Sequence, residues 1–223
     1  MFSSTEGFDT FAHMMAAKDW IVFSPNYRGS NNMGSRFQRA VINDAGDGPG
    51  RDVMAGLAAV KARGYVDGNR VAVSGWSYGG FMTTWLIAHY QGWTAAVAGA
   101  AVTDWFDWYN LADMNTWAGY GLGGSPWLND NAHAYWKQSP IAYATKIRTP
   151  TLILSNTDDP RVTVTQSYKL YHALKDNNVP VQFIVYPIPG HSPQDPVHRK
   201  DVNHRWIEWI AGHFDKQDRS KEK

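Results

Sequence analysis

Five short, almost wholly apolar segments, separated by longer stretches with helical periodicity, most constrain the fold of this chain. The apolar segments are 20–23, 70–73, 95–98, 151–154 and 181–185. A strand that is apolar along its whole length, rather than at alternate positions, is typical of a parallel sheet covered by helices on both faces. The pattern therefore predicts an α/β fold with a mostly parallel sheet of about five or six strands.

The stretches between these segments carry apolar residues at three- and four-residue spacing, which predicts helices. The predicted helices cover 10–18, 51–63, 80–90, 164–175 and about 197–213. Polar residues at 201, 203 and 204 interrupt the last apolar stripe, so that helix could begin several residues later. Residues 105–137 are aromatic-rich without clear periodicity and are predicted to form an insertion over the sheet. The polar tail, 215–223, is predicted to fray, and residues 1–223 to form a single domain.

Composition excludes several classes of function. The formal net charge is +1 with scattered Lys and Arg, which argues against nucleic acid and anionic membranes as partners. Cysteine is absent, so disulfides, thiolate nucleophiles and cysteine-based zinc sites are excluded, and no spacing of His or carboxylates resembles a metal site. We expect no cofactor. The sequence shows no signal-peptide pattern and no apolar run of about 20 residues, which predicts a soluble, cytoplasmic protein.

The segment Gly75-Trp76-Ser77-Tyr78-Gly79-Gly80 directly follows the predicted strand 70–73 and opens the helix predicted from residue 80. Small residues two positions before and after a serine permit a strained turn that lifts its hydroxyl above the sheet. The helix N-terminus beneath also favours negative charge. The alternative is a tight glycine turn with an incidental serine, but the placement between strand and helix favours Ser77 as a nucleophile.

A serine hydroxyl is a weak nucleophile until a base removes its proton, so an acid and a histidine are required. Asp158 and Asp159 follow the strand 151–154, and His191 follows the strand 181–185. Functional groups of α/β sheets lie at these carboxyl ends of strands. The spacing predicts His191 as the general base and leaves open which aspartate orients it. The remaining histidines are expected to be solvated or packed: His13, His89, His133, His172, His198, His204 and His213.

Taken together, several motifs resemble the catalytic domain of the prolyl oligopeptidase family, especially its acylaminoacyl-peptidase and dipeptidyl-peptidase branches. The matching segments are Pro25-Asn26-Tyr27-Arg28-Gly29-Ser30, the segment around Ser77, Ser139-Pro140, Asp159-Pro160-Arg161-Val162 and Gly190-His191. The resemblance implies an α/β-hydrolase fold and a serine peptidase acting on short peptides. It also selects Asp159 as the catalytic acid and places Arg161 where relatives hold a substrate carbonyl.

The resemblance further implies an apolar, aromatic specificity pocket. The corresponding positions are Tyr78, Val102, Trp105, Trp108 and Val162. An apolar acyl or side-chain group would be the expected occupant. The alternative is that these residues only cap the core.

Two features of the family are not found in the sequence: a β-propeller, and the loop before the segment matching Glu6-Gly7-Phe8-Asp9 that supplies half of the oxyanion hole. We therefore expect an N-terminally truncated domain in which the Tyr78 backbone N–H is the remaining oxyanion donor. Losing one donor typically costs about 10²–10³ in turnover, which favours ester substrates over peptides. The alternative is an impaired domain that only binds peptide or hydrophobic ligands. Such a truncation would also expose strand 20–23 at an edge, where homo-oligomers could form.

Overall fold

The computed structural model describes residues 9–221, with side chains to residue 216. Residues 1–8, which include Glu6, Gly7 and Phe8 of the segment that follows the oxyanion loop in the family, and residues 222–223 of the predicted tail lie outside the described residues. Four strands form one sheet in chain order: β1 (Ala72–Trp76), β2 (Ala95–Gly99), β3 (Thr151–Asp158) and β4 (Val181–Pro189). Each neighbouring pair is parallel.

Helices surround this sheet: α1 (Thr10–Ala16), α2 (Ser35–Arg39), α3 (Asp47–Lys61), α4 (Tyr78–His89), α5 (Trp105–Leu111), α6 (Asn115–Gly121), α7 (Ala132–Lys137), α8 (Val164–Asp176) and α9 (Pro196–Lys221), with a 3₁₀ helix at Pro140–Lys146. Successive residues of a strand point to opposite faces. Ala96 and Ala98 of β2 accordingly join the core cluster that contains α4, whereas Val97 joins the cluster that contains α9. The predicted α/β class, with helices on both faces of a parallel sheet, is confirmed.

The predicted strand at 20–23 is not a strand, so the described sheet has four strands rather than five or six. Two of its aromatic residues contact helices instead: the Trp20 ring meets Phe214 of α9 edge-on, with centroids 5.4 Å apart, and the Phe23 ring lies against Gly56 of α3. A strand requires a neighbour to complete its ladder of hydrogen bonds. Within residues 9–221, β1 has a neighbouring strand on one side only.

Helix α9 departs most from its predicted bounds, since it begins at Pro196 and continues to Lys221. Val202, Trp206 and Ile210, four residues apart, form its buried stripe, and the polar residues between them fall on other faces. The suggested later start was therefore wrong, and the backbone of 215–221 is helical where fraying was predicted. None of the helices within residues 9–221 is long and apolar enough to cross a membrane.

The segment 105–137, which was predicted to form an insertion over the sheet, contains the short helices α5, α6 and α7. Helix α5 begins where the Asp104 carboxylate accepts hydrogen bonds from the backbone N–H groups of Phe106 (2.9 Å) and Asp107 (3.2 Å). Such an N-cap satisfies donors that the first turn of a helix leaves unpaired. Seven-residue helices are too short for periodicity to be recognised in the sequence, which is why they were not predicted.

Candidate active site

Ser77 occupies the turn between β1 and α4, in a backbone conformation that non-glycine residues rarely adopt, with φ 60° and ψ −118°. Its N–H donates to the carbonyl of Gly99 at the end of β2, at 2.8 Å, which fixes the turn to the neighbouring strand. Strained residues of this kind persist only where the surrounding structure holds them, and they cluster at functional sites. The predicted strand–serine–helix turn is therefore present.

The glycines around Ser77 do not all serve the turn. A Cβ added to Gly75 would lie 2.5 Å from the backbone carbon of Gly79, and one added to Gly80 would clash with the carbonyl oxygen of Gly99. A Cβ on Gly79 itself would meet nothing within 4 Å. Small residues were predicted to be needed two positions before and two positions after the serine, but sterically the turn requires Gly75 and Gly80.

Asp159 is the aspartate that meets the histidine. Its side chain is 1% exposed, and Oδ2 lies 2.7 Å from Nδ1 of His191. The other oxygen, Oδ1, accepts hydrogen bonds from the backbone N–H groups of Arg161 (2.8 Å) and Val162 (3.0 Å). Asp158, by contrast, is exposed. A buried carboxylate with both oxygens engaged can fix the tautomer and orientation of the imidazole.

Hydrogen bonds from two strands position the loop that carries His191. Asn156 of β3 donates its amide Nδ2 to the carbonyl of Gly190 at 2.7 Å, and the Gly190 N–H donates to the carbonyl of Asp158 at 3.0 Å. From β1, the indole Nε1 of Trp76 donates to the carbonyl of His191 at 2.9 Å. Because Trp76 directly precedes Ser77, this last bond ties the histidine loop to the serine turn.

The second ring nitrogen of His191, Nε2, is buried and makes no hydrogen bond with the described residues, Ser77 included. A buried nitrogen without a partner is costly, and a catalytic role is one of the explanations for such a group in a native structure. Hydrogen bonds between a nucleophile and its base are often long until substrate binds. The imidazole is thus oriented through Nδ1, and its Nε2 is available to accept a proton.

Tyr78 contributes differently through its backbone and its side chain. It is the first residue of α4, so its backbone N–H is among the first four of the helix, which have no acceptor within the helix. The phenol donates to the carbonyl of Ala45 at 2.8 Å, and burial raises the pKa of this hydroxyl well above its ordinary value. The side chain is therefore neutral and is held by its hydrogen bond to the Ala45 carbonyl.

Four residues predicted to line the pocket belong to the main core cluster: Val102, Trp105, Trp108 and Val162 are no more than 6% exposed. The two indoles meet edge-on with centroids 5.4 Å apart, and the Trp108 Nε1 donates to the carbonyl of Arg161 at 2.6 Å. The cluster thus packs next to the Asp159 turn. Tyr78, which follows the serine, packs on the same cluster, with its ring 6.3 Å from that of Trp105.

Arg161, predicted to hold a substrate carbonyl, is paired with a residue that the sequence did not single out. Its guanidinium contacts both carboxylate oxygens of Asp113 in the linker between α5 and α6. Trp76 and Asn156 were also missed as positioning residues. Trp76 stands inside the serine motif and Asn156 three residues before the acid, but neither position reveals a contact with a loop much later in the chain. Within residues 9–221, no group of three or more metal-ligating side chains is arranged to hold a metal ion.

Comparison with known proteins identifies a matching family profile, related sequences and similar solved structures. The sequence profile described as "Prolyl oligopeptidase family" matches residues 6–217. The chain is 30% identical to "Uncharacterized peptidase YuxL" of Bacillus subtilis over 91% of this chain and 31% of that protein. It is 29% identical to the mouse "Acylamino-acid-releasing enzyme" over 92% of this chain and 29% of that protein.

Among solved structures, an acylaminoacyl peptidase in complex with Z-Gly-Gly-Phe-chloromethyl ketone superposes with a TM-score of 0.78. Its sequence is 27% identical, and the match covers 83% of this chain and 31% of that one. The chain therefore spans about 30% of the length of the relatives that it matches. The likeness confirms the predicted α/β-hydrolase fold.

Proposed function

The chain belongs to the prolyl oligopeptidase family and carries its serine peptidase scaffold, and from that premise we propose that it hydrolyses ester or amide bonds through an acyl-enzyme formed on Ser77. The observation that carries the proposal is the way in which His191 is held by the acid and by the residue before Ser77. His191 is held through Nδ1 by buried Asp159 and through its carbonyl by the residue next to Ser77, while Nε2 is left without a partner among the described residues.

In the proposed reaction, Ser77 Oγ attacks the acyl carbon while Nε2 of His191 takes the hydroxyl proton. The carbonyl oxygen becomes an oxyanion and accepts a hydrogen bond from the Tyr78 N–H. Asp159 stabilises the imidazolium through Nδ1. Collapse of the intermediate breaks the bond to the leaving amine or alcohol, which takes the proton from Nε2. Water then hydrolyses the acyl-enzyme by the same route, which restores the serine.

We propose further that the acyl group enters an apolar pocket bounded by Tyr78, Val102, Trp105, Trp108 and Val162, as the family resemblance implies. These residues belong to or pack against the main core cluster, which reaches from the residue after Ser77 to the turn after Asp159. Because four of them are no more than 6% exposed, an acyl group would contact the edge of this cluster. The structurally similar acylaminoacyl peptidase was solved with an inhibitor that carries phenylalanine, which is consistent with an apolar occupant. Short peptides and esters with apolar acyl groups are therefore the proposed substrates.

The test is hydrolysis of p-nitrophenyl butyrate beside acyl- and aminoacyl-peptide p-nitroanilides. We expect turnover that Ser77→Ala abolishes and that Ser74→Ala, at an exposed serine on the same strand, leaves intact. The ratio of ester turnover to p-nitroanilide turnover shows whether the protein acts mainly as an esterase or as a peptidase. Binding of these compounds without turnover, by folded protein, would instead favour a domain that only binds peptide or hydrophobic ligands.

A further inference from the structure

The pair formed by Arg161 and Asp113 links two parts of the chain through three hydrogen bonds. Nε of Arg161 donates to Oδ1 of Asp113 at 2.6 Å, and Nη2 donates to Oδ2 at 3.1 Å. The backbone N–H of Asp113 also donates to the carbonyl of Pro160 at 3.0 Å. Paired, parallel hydrogen bonds of this kind fix both partners in orientation as well as distance. Asp113 is thus held against the turn that carries the catalytic acid.

The pair lies beside the proposed catalytic groups. The backbone N–H of Arg161 donates to Asp159, and the Arg161 carbonyl accepts from Trp108, so the backbone at this position is fixed. The hydrogen bond from Arg161 lowers the pKa of Asp113, and the charge of His191 contributes in the same direction. Both side chains remain accessible, at 39% and 42% exposed. A substrate bound at Ser77 would therefore meet an arginine whose positive charge is already paired with the carboxylate of Asp113.

The geometry cancels the charge of Arg161 without using up its donors. A guanidinium has five N–H groups, and the two hydrogen bonds to Asp113 leave three. Those three can donate to a neutral carbonyl oxygen. An unpaired arginine at the same place would also attract carboxylates, and Asp113 removes that attraction.

We propose that Asp113 is a specificity-determining residue, which neutralises Arg161 so that the site selects substrates with neutral or cationic acyl groups over anionic ones. This inference rests on the proposed function, because it requires the acyl side of a substrate at Ser77 to extend past Arg161. Asp113 does not touch the reacting atoms and acts through the charge of its partner.

The test compares three phenylalanine thiobenzyl esters that differ only in their N-acyl group: succinyl (anionic), acetyl (neutral) and betainyl (cationic). In Asp113→Asn, the kcat/KM ratio of succinyl to acetyl substrate should rise about five-fold, the size expected for one partly exposed charge at close range. In Arg161→Met, which leaves Asp113 unpaired, the ratio of betainyl to acetyl substrate should rise by a similar factor. The double variant should return towards the wild-type ratios, and added salt should reduce both shifts.

The control is Asp130→Asn, which makes the same charge change at an exposed aspartate of another loop. Unchanged ratios in both single variants, or an equal shift in the control, would overturn the inference. Each single variant tests the proposal independently, so loss of folding in one does not remove the test. Acetyl-ester turnover that does not depend on Ser77 would contradict the proposed function, whereas Ser77-dependent turnover with unmoved ratios contradicts only the role of Asp113.

Discussion

Replacing Trp76 with phenylalanine should lower kcat/KM as well as stability, because the indole N–H holds the histidine loop. The bond from Nε1 to the His191 carbonyl is 2.9 Å long, and a hydrogen bond of this kind contributes about 1 kcal/mol. The smaller ring also loses contacts, since Trp76 packs against both core clusters. We estimate roughly 1 kcal/mol for that partial loss, because complete truncation of a buried aromatic costs about 3–5 kcal/mol.

The total expected loss in the free energy of unfolding is thus about 2 kcal/mol, measured by urea denaturation. The part due to the hydrogen bond should also appear in kcat/KM, because a loosened loop spends less time with Nε2 placed to accept a proton. Since about 1.36 kcal/mol corresponds to ten-fold in rate, about 1 kcal/mol predicts a five-fold lower kcat/KM for p-nitrophenyl butyrate.

The chain offers a matched control in Trp93. Its side chain is also buried, but its indole nitrogen makes no hydrogen bond with the described residues, and it precedes β2 at the opposite end of the sheet from Ser77. Trp93→Phe should lower stability through packing alone and leave kcat/KM unchanged. Equal losses of kcat/KM in the two variants, or no loss in Trp76→Phe, would refute the reasoning.

Three further predictions concern the catalytic acid, the ion pair between Arg28 and Asp52, and the glycines of the serine turn. Asp159→Asn should lower kcat by about 10⁴ with the fold retained by circular dichroism, since the imidazole loses its orienting carboxylate; a loss below ten-fold would contradict that role. Asp52 accepts hydrogen bonds from Arg28, which lower its pKa, so its stabilisation should be complete above its ordinary value near 3.8 and disappear as pH falls through the lowered pKa. The stability difference from Asp52→Asn, measured by denaturation, should therefore shrink in acid, and a difference that grows would be inconsistent. Gly75→Ala should destabilise strongly while Gly79→Ala should not, and similar melting temperatures for these two variants would contradict the steric argument.

Much of the site was predictable because it follows the order of the strands. Ser77, Asp159 and His191 each follow a strand of one parallel sheet, and the carboxyl ends of such strands share an edge. The apolar segments that predicted β1 to β4 were long enough to be recognised in the sequence. The segment 20–23 has the same composition but lacks a ladder partner within the described residues, and composition alone cannot show whether a partner exists.

What could not be predicted depends on contacts between distant segments. The choice between Asp158 and Asp159 came from the family resemblance, and the structure explains it by burial of one side chain and exposure of the other. The bond from Trp76 to the His191 loop joins residues 115 positions apart, and the pairing of Arg161 with Asp113 spans 48. Neither leaves a local pattern in the sequence.

The most direct test of the central claim is the reaction of folded protein with a fluorophosphonate probe, read by intact mass and peptide mapping. Activation of Ser77 by His191 predicts one label per chain, located on Ser77, with labelling abolished in Ser77→Ala and strongly slowed in His191→Gln. Folded wild-type protein that takes up no label, or that is labelled equally fast without the imidazole, would contradict the account.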